Sequence, residues 1–389
     1  MSLATQQQRF IDAVNNGENV YLTGKAGTGK SFVTKTAIDS LRRKGKNIMA
    51  LAPTGIAANN IEGATIHSAF GLTPFGMIDY EKANFLKSEK RRVLQAVDVI
   101  FIDEISMLRA DVLDALNYTL IKNKCGNIFE KQIIFIGDLK QLPCVVDDNM
   151  RSIMLRKYAG VEFFNAEIYK DLNVIEIELD EIQRQSDSYF IEALNEVREG
   201  RRSQYFRQFV HSEPSGIILA PHNSTVLKYN LEGLEKLNGK TYTFKAVIEG
   251  NVNASEFQVE NIVKLKDEAK IMYLANSQNN NLRNGTIGIF RVVDEKFFIE
   301  VDDVKFAISE LKFTKKEYVL IDGELKLSEI GSITQIPIKL AYALTIHKSQ
   351  GLTFDNVTLD LTLPCFSKGQ MYVALSRVTS PDGLRIITK

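Results

Sequence analysis

The sequence predicts an α/β protein with two parallel-sheet domains, the second of them interrupted by a small β-barrel. Three observations predict it. Short apolar strands alternate with amphipathic helices from the start to about residue 180, the pattern of a parallel sheet with helices on both faces. Between residues 286 and 335 the helices drop out, and short β-rich runs are separated by polar turns such as Asp294-Glu295 and Asp322-Gly323, the pattern of a small barrel. Helical α/β character then returns at 337–346 and runs to residue 389. The expected division is a first domain over 1–180, a second over 181–285 and 336–389, and an inserted module over 286–335.

Each element follows from local pattern. Residues 19–23 read as a buried strand, 30–41 as a helix and 48–52 as a strand. Residues 96–102 and 132–136 are further apolar strands, with helical patterns over 81–93 and 111–122 between them. One more strand is expected over 174–179, then helices over 188–198 and 223–237. The inserted module shows strand patterns over 286–293, 297–301, 304–308 and 318–321.

Composition limits the function classes. With 44% hydrophobic residues, 25% charged residues and 8 prolines among 389, the chain is an ordinary globular protein able to bury a sizeable core. No apolar run approaches the ~20 residues of a membrane span. The first residues lack the basic and apolar regions of a signal peptide, so a cytoplasmic protein without a membrane partner is expected. Cys125, Cys144 and Cys365 lie far apart, and the four histidines show no metal-ligand spacing, which argues against a disulfide framework or structural zinc. The 48 basic and 48 acidic residues cancel, and the balance also holds on either side of residue 180. Bulk charge therefore gives no support for nucleic-acid binding; any such track must be local.

The motifs carry the chemistry. Gly24-Lys25-Ala26-Gly27-Thr28-Gly29-Lys30-Ser31 matches G-x-x-x-x-G-K-[ST] in full, after a strand and before a helix, which is the confirming context. Gly24, Gly27 and Gly29 let backbone N–H groups turn inward around phosphates, Thr28 lies inside the loop, and the helix N-terminus adds positive charge. Lys30 is expected to reach the β/γ-phosphates of ATP, and Ser31 to ligate Mg²⁺. The strand around 99–102 ends in Asp103-Glu104. Asp103 is the candidate metal carboxylate and Glu104 the candidate that polarises the attacking water. Gln141, in Gly137-Asp138-Leu139-Lys140-Gln141 after the next strand, is placed to sense the γ-phosphate or orient water.

These segments, in this order, resemble superfamily 1 helicases, the RecD-like branch within them, and most closely the PIF (petite integration frequency) family of 5′-to-3′ DNA helicases. The likeness continues through Pro53-Thr54-Gly55-Ile56-Ala57-Ala58, Thr65-Ile66-His67-Ser68-Ala69-Phe70-Gly71, Glu181-Ile182-Gln183-Arg184-Gln185, Leu344-Thr345-Ile346-His347-Lys348-Ser349-Gln350-Gly351 and Gln370-Met371-Tyr372-Val373-Ala374-Leu375-Ser376-Arg377. Cys144, Gln6 and Tyr342 depart from the family pattern without removing a catalytic group. The resemblance implies two RecA-like domains, an SH3-like form for the inserted barrel and a small wedge insertion near 65–75. It implies Gln7 as the adenine reader, Arg184 and Arg377 as positive charges on the γ-phosphate, and Gly351 at the nucleotide. DNA contacts fall on Pro53, Thr54, Thr345, His347 and Lys348, with His67 and Phe70 as stacking or strand-splitting rings.

The resemblance implies an ATP-dependent helicase of replication, recombination, repair and telomere-type maintenance, working at the nucleoid. Expected partners are single-stranded DNA and single-to-double-strand junctions, with G-quadruplexes and RNA–DNA hybrids among the structures similar helicases act on; a monomer is expected in solution. Two other readings stay open on the motifs alone: a DNA-stimulated ATPase that remodels protein–DNA complexes without unwinding, and a nucleotide-dependent switch without motor activity.

Overall fold

The computed structural model describes residues 5–73, 76–181, 187–250, 252–257, 259–276 and 282–389. The chain divides into two units: Met1–Arg184 with Lys316–Ile330, and Gln185–Lys315 with Gly331–Lys389.

In the first unit, α1 (Thr5–Asn15) leads into β1 (Asn19–Gly24), α2 (Lys30–Arg43), β2 (Ile48–Ala52), α3 (Gly55–Asn60), β3 (Ala64–Thr65), α4 (Ile66–Phe70), α5 (Ser88–Ala96), β4 (Val99–Ile102), α6 (Ala110–Lys122), β5 (Gln132–Ile136), α7 (Asp148–Tyr158) and β6 (Val174–Leu179). The strands form one parallel sheet in the order β3-β2-β4-β5-β1-β6. Strands such as Ile-Met-Ala-Leu-Ala and Val-Ile-Phe-Ile are buried along their whole length, as a parallel sheet covered on both faces requires. Alternate residues supply two cores. Val20, Leu22, Ala50, Phe101 and Ile134 pack with Phe10 and Val14 of α1 and Val33 and Leu41 of α2. Tyr21, Leu51, Ile100, Ile102 and Phe135 pack with α4, α5, α6 and α7 on the other face.

The second unit has α8 (Ser188–Arg198), β7 (Ile217–Ala220), α9 (Asn223–Glu235), β8 (Thr241–Lys245), β9 (Val247–Gly250), β10 (Ile262–Lys266), β11 (Lys270–Tyr273), β12 (Ile287–Val293), β13 (Lys296–Val301), β14 (Val304–Ala307), β15 (Leu311–Ile321), β16 (Glu324–Gln335), β17 (Ile338–Leu340), β18 (Ala343–Thr345), β19 (Val357–Asp360), α10 (Gln370–Leu375) and β20 (Leu384–Ile387). A parallel sheet runs β18-β7-β19-β20. The rest is antiparallel: β14-β13-β12-β11-β17, β10-β8 and β15-β16-β9.

Three expectations need correction. Antiparallel pairing begins at Thr241 and extends to Leu340, outside the 286–335 module, because β11 pairs on one side with β12 and on the other with β17, far along the chain. Residues 337–346 contribute β17 and β18 rather than helix. The helix expected over 81–93 starts later, at Ser88, because the Asn123 side-chain amide claims the preceding backbone: its Nδ2 donates to Asn84 O at 2.9 Å, and Leu86 N–H donates to its Oδ1 at 2.7 Å.

The far part of the β15–β16 hairpin belongs to the first unit, and one hydroxyl explains why. Strand β3 pairs with β2 only at Leu51 and Ala52, so the N-terminal half of β2 has an open edge. Ala50 N–H there donates to Tyr318 Oη at 2.8 Å. Asn47 brackets the hairpin tip, donating to Gly323 O and accepting from Leu325 N–H, both at 3.0 Å. A buried sheet edge needs such partners, and Tyr318 joins the same core as Ile66 and Phe70. Tyr318→Phe strips the partner from a buried amide and should lower stability by about 1–2 kcal/mol, with faster hydrogen exchange at Ala50. Unchanged exchange would mean that the hydroxyl does not hold this edge.

Candidate functional site

Three neighbouring strands, β4, β5 and β1, end side by side. Their registers pair Ile102 with Phe135 and Leu22 with Ile136, so Asp103, Gly137 and Gly24 follow at adjacent positions. The carboxyl ends of parallel strands are where such sheets bind ligands. Packing there is close enough to exclude side chains. A Cβ on Gly24 would lie 2.6 Å from Leu179 O and 2.9 Å from Thr28 Oγ1; one on Gly137 would lie 2.9 Å from Ile105 N. Gly137 N–H donates to Leu22 O at 3.1 Å, and Asp103 N–H donates to Leu51 O at 2.9 Å.

The loop from Gly24 to Ser31 curls as its sequence demands. Gly27 and Gly29 adopt φ of 84° and 86°, left-handed values that glycine takes without cost. Gly29 caps α2 with no side-chain bond, which leaves the first N–H groups of the helix to an anion. Thr28 is buried, and its Oγ1 donates to Lys25 O at 3.0 Å. Lys30 Nζ is folded onto its own loop, donating to Gly24 O at 2.7 Å and Lys25 O at 3.0 Å. Ser31, in the first turn of α2, is exposed.

Asp103 and Glu104 face this loop. Burial pushes the Asp103 carboxyl well above its usual range, the adjacent Glu104 charge adds to the rise, and Lys30 opposes it. A carboxylate under that pressure gains from a cation beside it. Among the described residues no cluster of three His, Cys, Asp or Glu side chains could hold a metal alone. That fits Mg²⁺, which binds through one or two protein oxygens and completes its shell with phosphate oxygens and water; Ser31 and Asp103 would hold it. Glu104 sits at φ 50°, ψ 45°, a left-handed conformation uncommon for a residue with a side chain. Gln141 is buried, with its N–H donating to Asp138 O at 3.0 Å. Gln7 is buried on α1, which packs against α2, and its neighbour Gln6 holds a buried Oε1 with no hydrogen-bond partner. Gln7, the Gly24–Ser31 loop, Asp103, Glu104 and Gln141 thus all lie on the first unit.

The remaining candidates divide. Thr54 caps α3, its Oγ1 accepting from Ala57 N–H at 3.3 Å, with Pro53 just before it. Thr345, at the end of β18, accepts from Lys348 N–H at 3.3 Å. Each threonine hydroxyl is spent on a turn that follows a parallel strand, one in each unit. Lys348 is exposed and His347 half-buried; burial lowers the His347 pKa, so its ring is neutral near pH 7. His67 is also half-buried and lowered, by burial first and then by the Arg109 charge. Phe70 is a correction. It is 0% exposed within the first unit's core and cannot stack on a base without leaving that core. Gly351 takes φ 82° after the His347–Ser349 turn. Arg184 lies outside the described residues. Arg377 is buried, and its guanidinium donates to Val373 O at 2.8 Å, Leu352 O at 3.1 Å and Ser376 Oγ at 2.7 Å, a bonding pattern that motif reading had not anticipated.

Comparison with known proteins bears on the same segments. The family model described as PIF1-like helicase matches residues 2–208. The chain belongs to the PIF1-like helicase family. An ATP-dependent DNA helicase Pif1 of Campylobacter jejuni is 30% identical over 95% of this chain and 88% of its own length. Among solved structures, Bacteroides sp Pif1 in complex with ADP-AlF4 is 31% identical, covers 100% of this chain and 95% of its own, and superposes with a TM-score of 0.85. Bacteroides Pif1 bound to ssDNA is 33% identical, with 99% and 92% covered and a TM-score of 0.71. Family membership accounts for the paired parallel sheets and antiparallel additions. It leaves the role of each side chain to be tested.

One such test concerns Gly24. A methyl group there meets the Leu179 carbonyl and displaces the loop, so Gly24→Ala should weaken ATP binding by at least about tenfold, equivalent to roughly 1.4 kcal/mol. A fluorescent-nucleotide titration measures it, and wild-type affinity would show that the loop relaxes around the added carbon.

Proposed function

We propose that the protein is an ATP-hydrolysing DNA helicase that moves 5′-to-3′ along single-stranded DNA and opens duplex at single-to-double-strand junctions. The observation that carries this reading is the convergence of the Lys30 loop, Asp103-Glu104 and the 137–141 segment on adjacent strand ends, in a chain of the PIF1-like helicase family. Two structures of a relative support the ligands: Bacteroides Pif1 is known in complex with ADP-AlF4 and bound to ssDNA.

In this reading Lys30 leaves the Gly24 and Lys25 carbonyls and clamps the β- and γ-phosphates. Ser31 and Asp103 would hold Mg²⁺, which would supply positive charge to the phosphates. Glu104 takes a proton from the attacking water, and Gln141 orients that water. Gln7 reads the adenine. Arg184 and Arg377 supply positive charge to the γ-phosphate, and for Arg377 this means giving up part of its present hydrogen bonding. Thr54, Thr345, His347 and Lys348 contact the strand's phosphates through hydroxyl-capped turns and positive charge. Movement follows only if nucleotide state changes each unit's affinity for the strand. A monomer working at the nucleoid, with G-quadruplexes and RNA–DNA hybrids among its substrates, completes the proposal.

Duplexes with a single 5′ or 3′ tail test it directly. Strand displacement with ATP should occur on the 5′-tailed substrate. ATP turnover without displacement on either tail would replace the helicase reading with that of a DNA-dependent remodelling ATPase. Glu104→Gln should retain nucleotide binding while turnover falls by about 10²–10⁴; loss of binding would give Glu104 a structural role instead.

A further inference from the structure

In the second unit Phe366 is a large aromatic ring held out in solvent. Phe366 is 63% exposed, yet its position is tightly set. Gln370 at the start of α10 is fully buried, and its Oε1 accepts from Phe366 N–H at 2.9 Å and from Ser367 N–H at 3.2 Å. Two imidazoles flank the phenyl ring. His347 lies nearly parallel to it, centroids 5.9 Å apart at 16°. His222 lies 5.1 Å away at 46°. The His222 ring is itself fixed, because its Nε2 donates to Pro364 O at 3.0 Å, in the same loop as Phe366. Core packing explains none of this, since the ring is not in the core. A stray surface phenylalanine would not be pinned by a buried amide and backed by two rings.

We infer that Phe366, packed against His222 and His347, is a base-stacking residue of the second unit's single-strand track. The inference deepens the proposed function and rests on it. The chemistry selects a nucleobase. A fixed aromatic face loses little side-chain entropy when a ring stacks on it, and it accepts every base, because all share a π-face. The neighbouring turn supplies what the phosphate of the same nucleotide needs: an exposed Lys348 ammonium beside His347. Aromatic platforms interleaved with positive charge are how proteins hold single strands without regard to sequence. Flanking imidazoles would also keep Phe366 from turning inward when no base is present.

Oligo-dT binding by fluorescence anisotropy, at fixed salt and without nucleotide, tests this with three variants. Phe366→Ala should weaken binding about 5- to 100-fold, Phe366→Leu should weaken it similarly, and Phe366→Trp should keep it. ATP hydrolysis without DNA and the thermal midpoint should stay at wild-type values in all three, because the ring is exposed. A 2-aminopurine probe in the oligonucleotide should be quenched by wild-type and Phe366→Trp, and less by Phe366→Ala. Phe366→Ala should leave the salt dependence of binding unchanged, whereas Lys348→Ala should reduce its slope by about 1. Wild-type affinity in Phe366→Ala overturns the inference while the helicase reading stands. Retained affinity in Phe366→Leu also overturns it, making the contact apolar rather than stacked. Failure of the wild-type protein to bind oligo-dT at all would sink the underlying function along with it.

Discussion

The lateral pairing of β1, β4 and β5 puts the Gly24 loop, Asp103-Glu104 and the 137–141 segment together at the carboxyl ends of three neighbouring strands, and the close approach there leaves no room for a side chain at Gly24 or Gly137. Backbone amides, not side chains, face each other there. That closeness allows a loop of N–H groups to surround phosphates while Asp103 and Glu104 stay within electrostatic reach of Lys30. The raised Asp103 pKa is a consequence of the same crowding. Desolvation and a neighbouring carboxylate disfavour its charge, and a cation bound beside it would oppose both.

The hairpin from β15 to β16 contributes to the same unit from far along the chain. Tyr318 closes an edge that β3 is too short to cover. The preceding residue, Glu317, accepts from Ser68 Oγ at 2.8 Å and pairs with Lys90 at 3.3 Å. Ser68 lies on α4 beside His67, so the position of that half-buried imidazole depends partly on residues about 250 positions away in sequence. These contacts are partly shielded from solvent, so removing one partner would leave the other with a charge that water only partly compensates.

Much of this was legible in the sequence, for a physical reason. A phosphate loop is a local device: eight consecutive residues specify glycine conformation, helix start and lysine reach. Asp103-Glu104 was legible because a buried apolar strand ending in two carboxylates is costly without a cation or substrate. Long-range facts were not legible. Nothing near Tyr318 announces a bond to Ala50. The antiparallel sheet was placed too late because β8 to β11 are short runs whose partners lie far along the chain. Phe70 was misread because an aromatic residue in a motif looks the same whether it faces core or solvent, and here it faces core. Conversely Phe366, in a loop without a recognisable signature, is an exposed ring set by a buried amide. Arg377 shows the limit of motif transfer, since its position in sequence said nothing of the three acceptors that now hold its guanidinium.

The central claim is that the nucleotide site of the first unit is coupled to a single-stranded track. Steady-state ATP hydrolysis by the purified protein, measured across a titration of single-stranded DNA, tests it most directly. The account predicts a low basal rate that rises and saturates as the strand is bound. A rate indifferent to DNA, in a protein that binds both ATP and the strand, would contradict it and leave an ATPase whose chemistry serves something other than movement on nucleic acid.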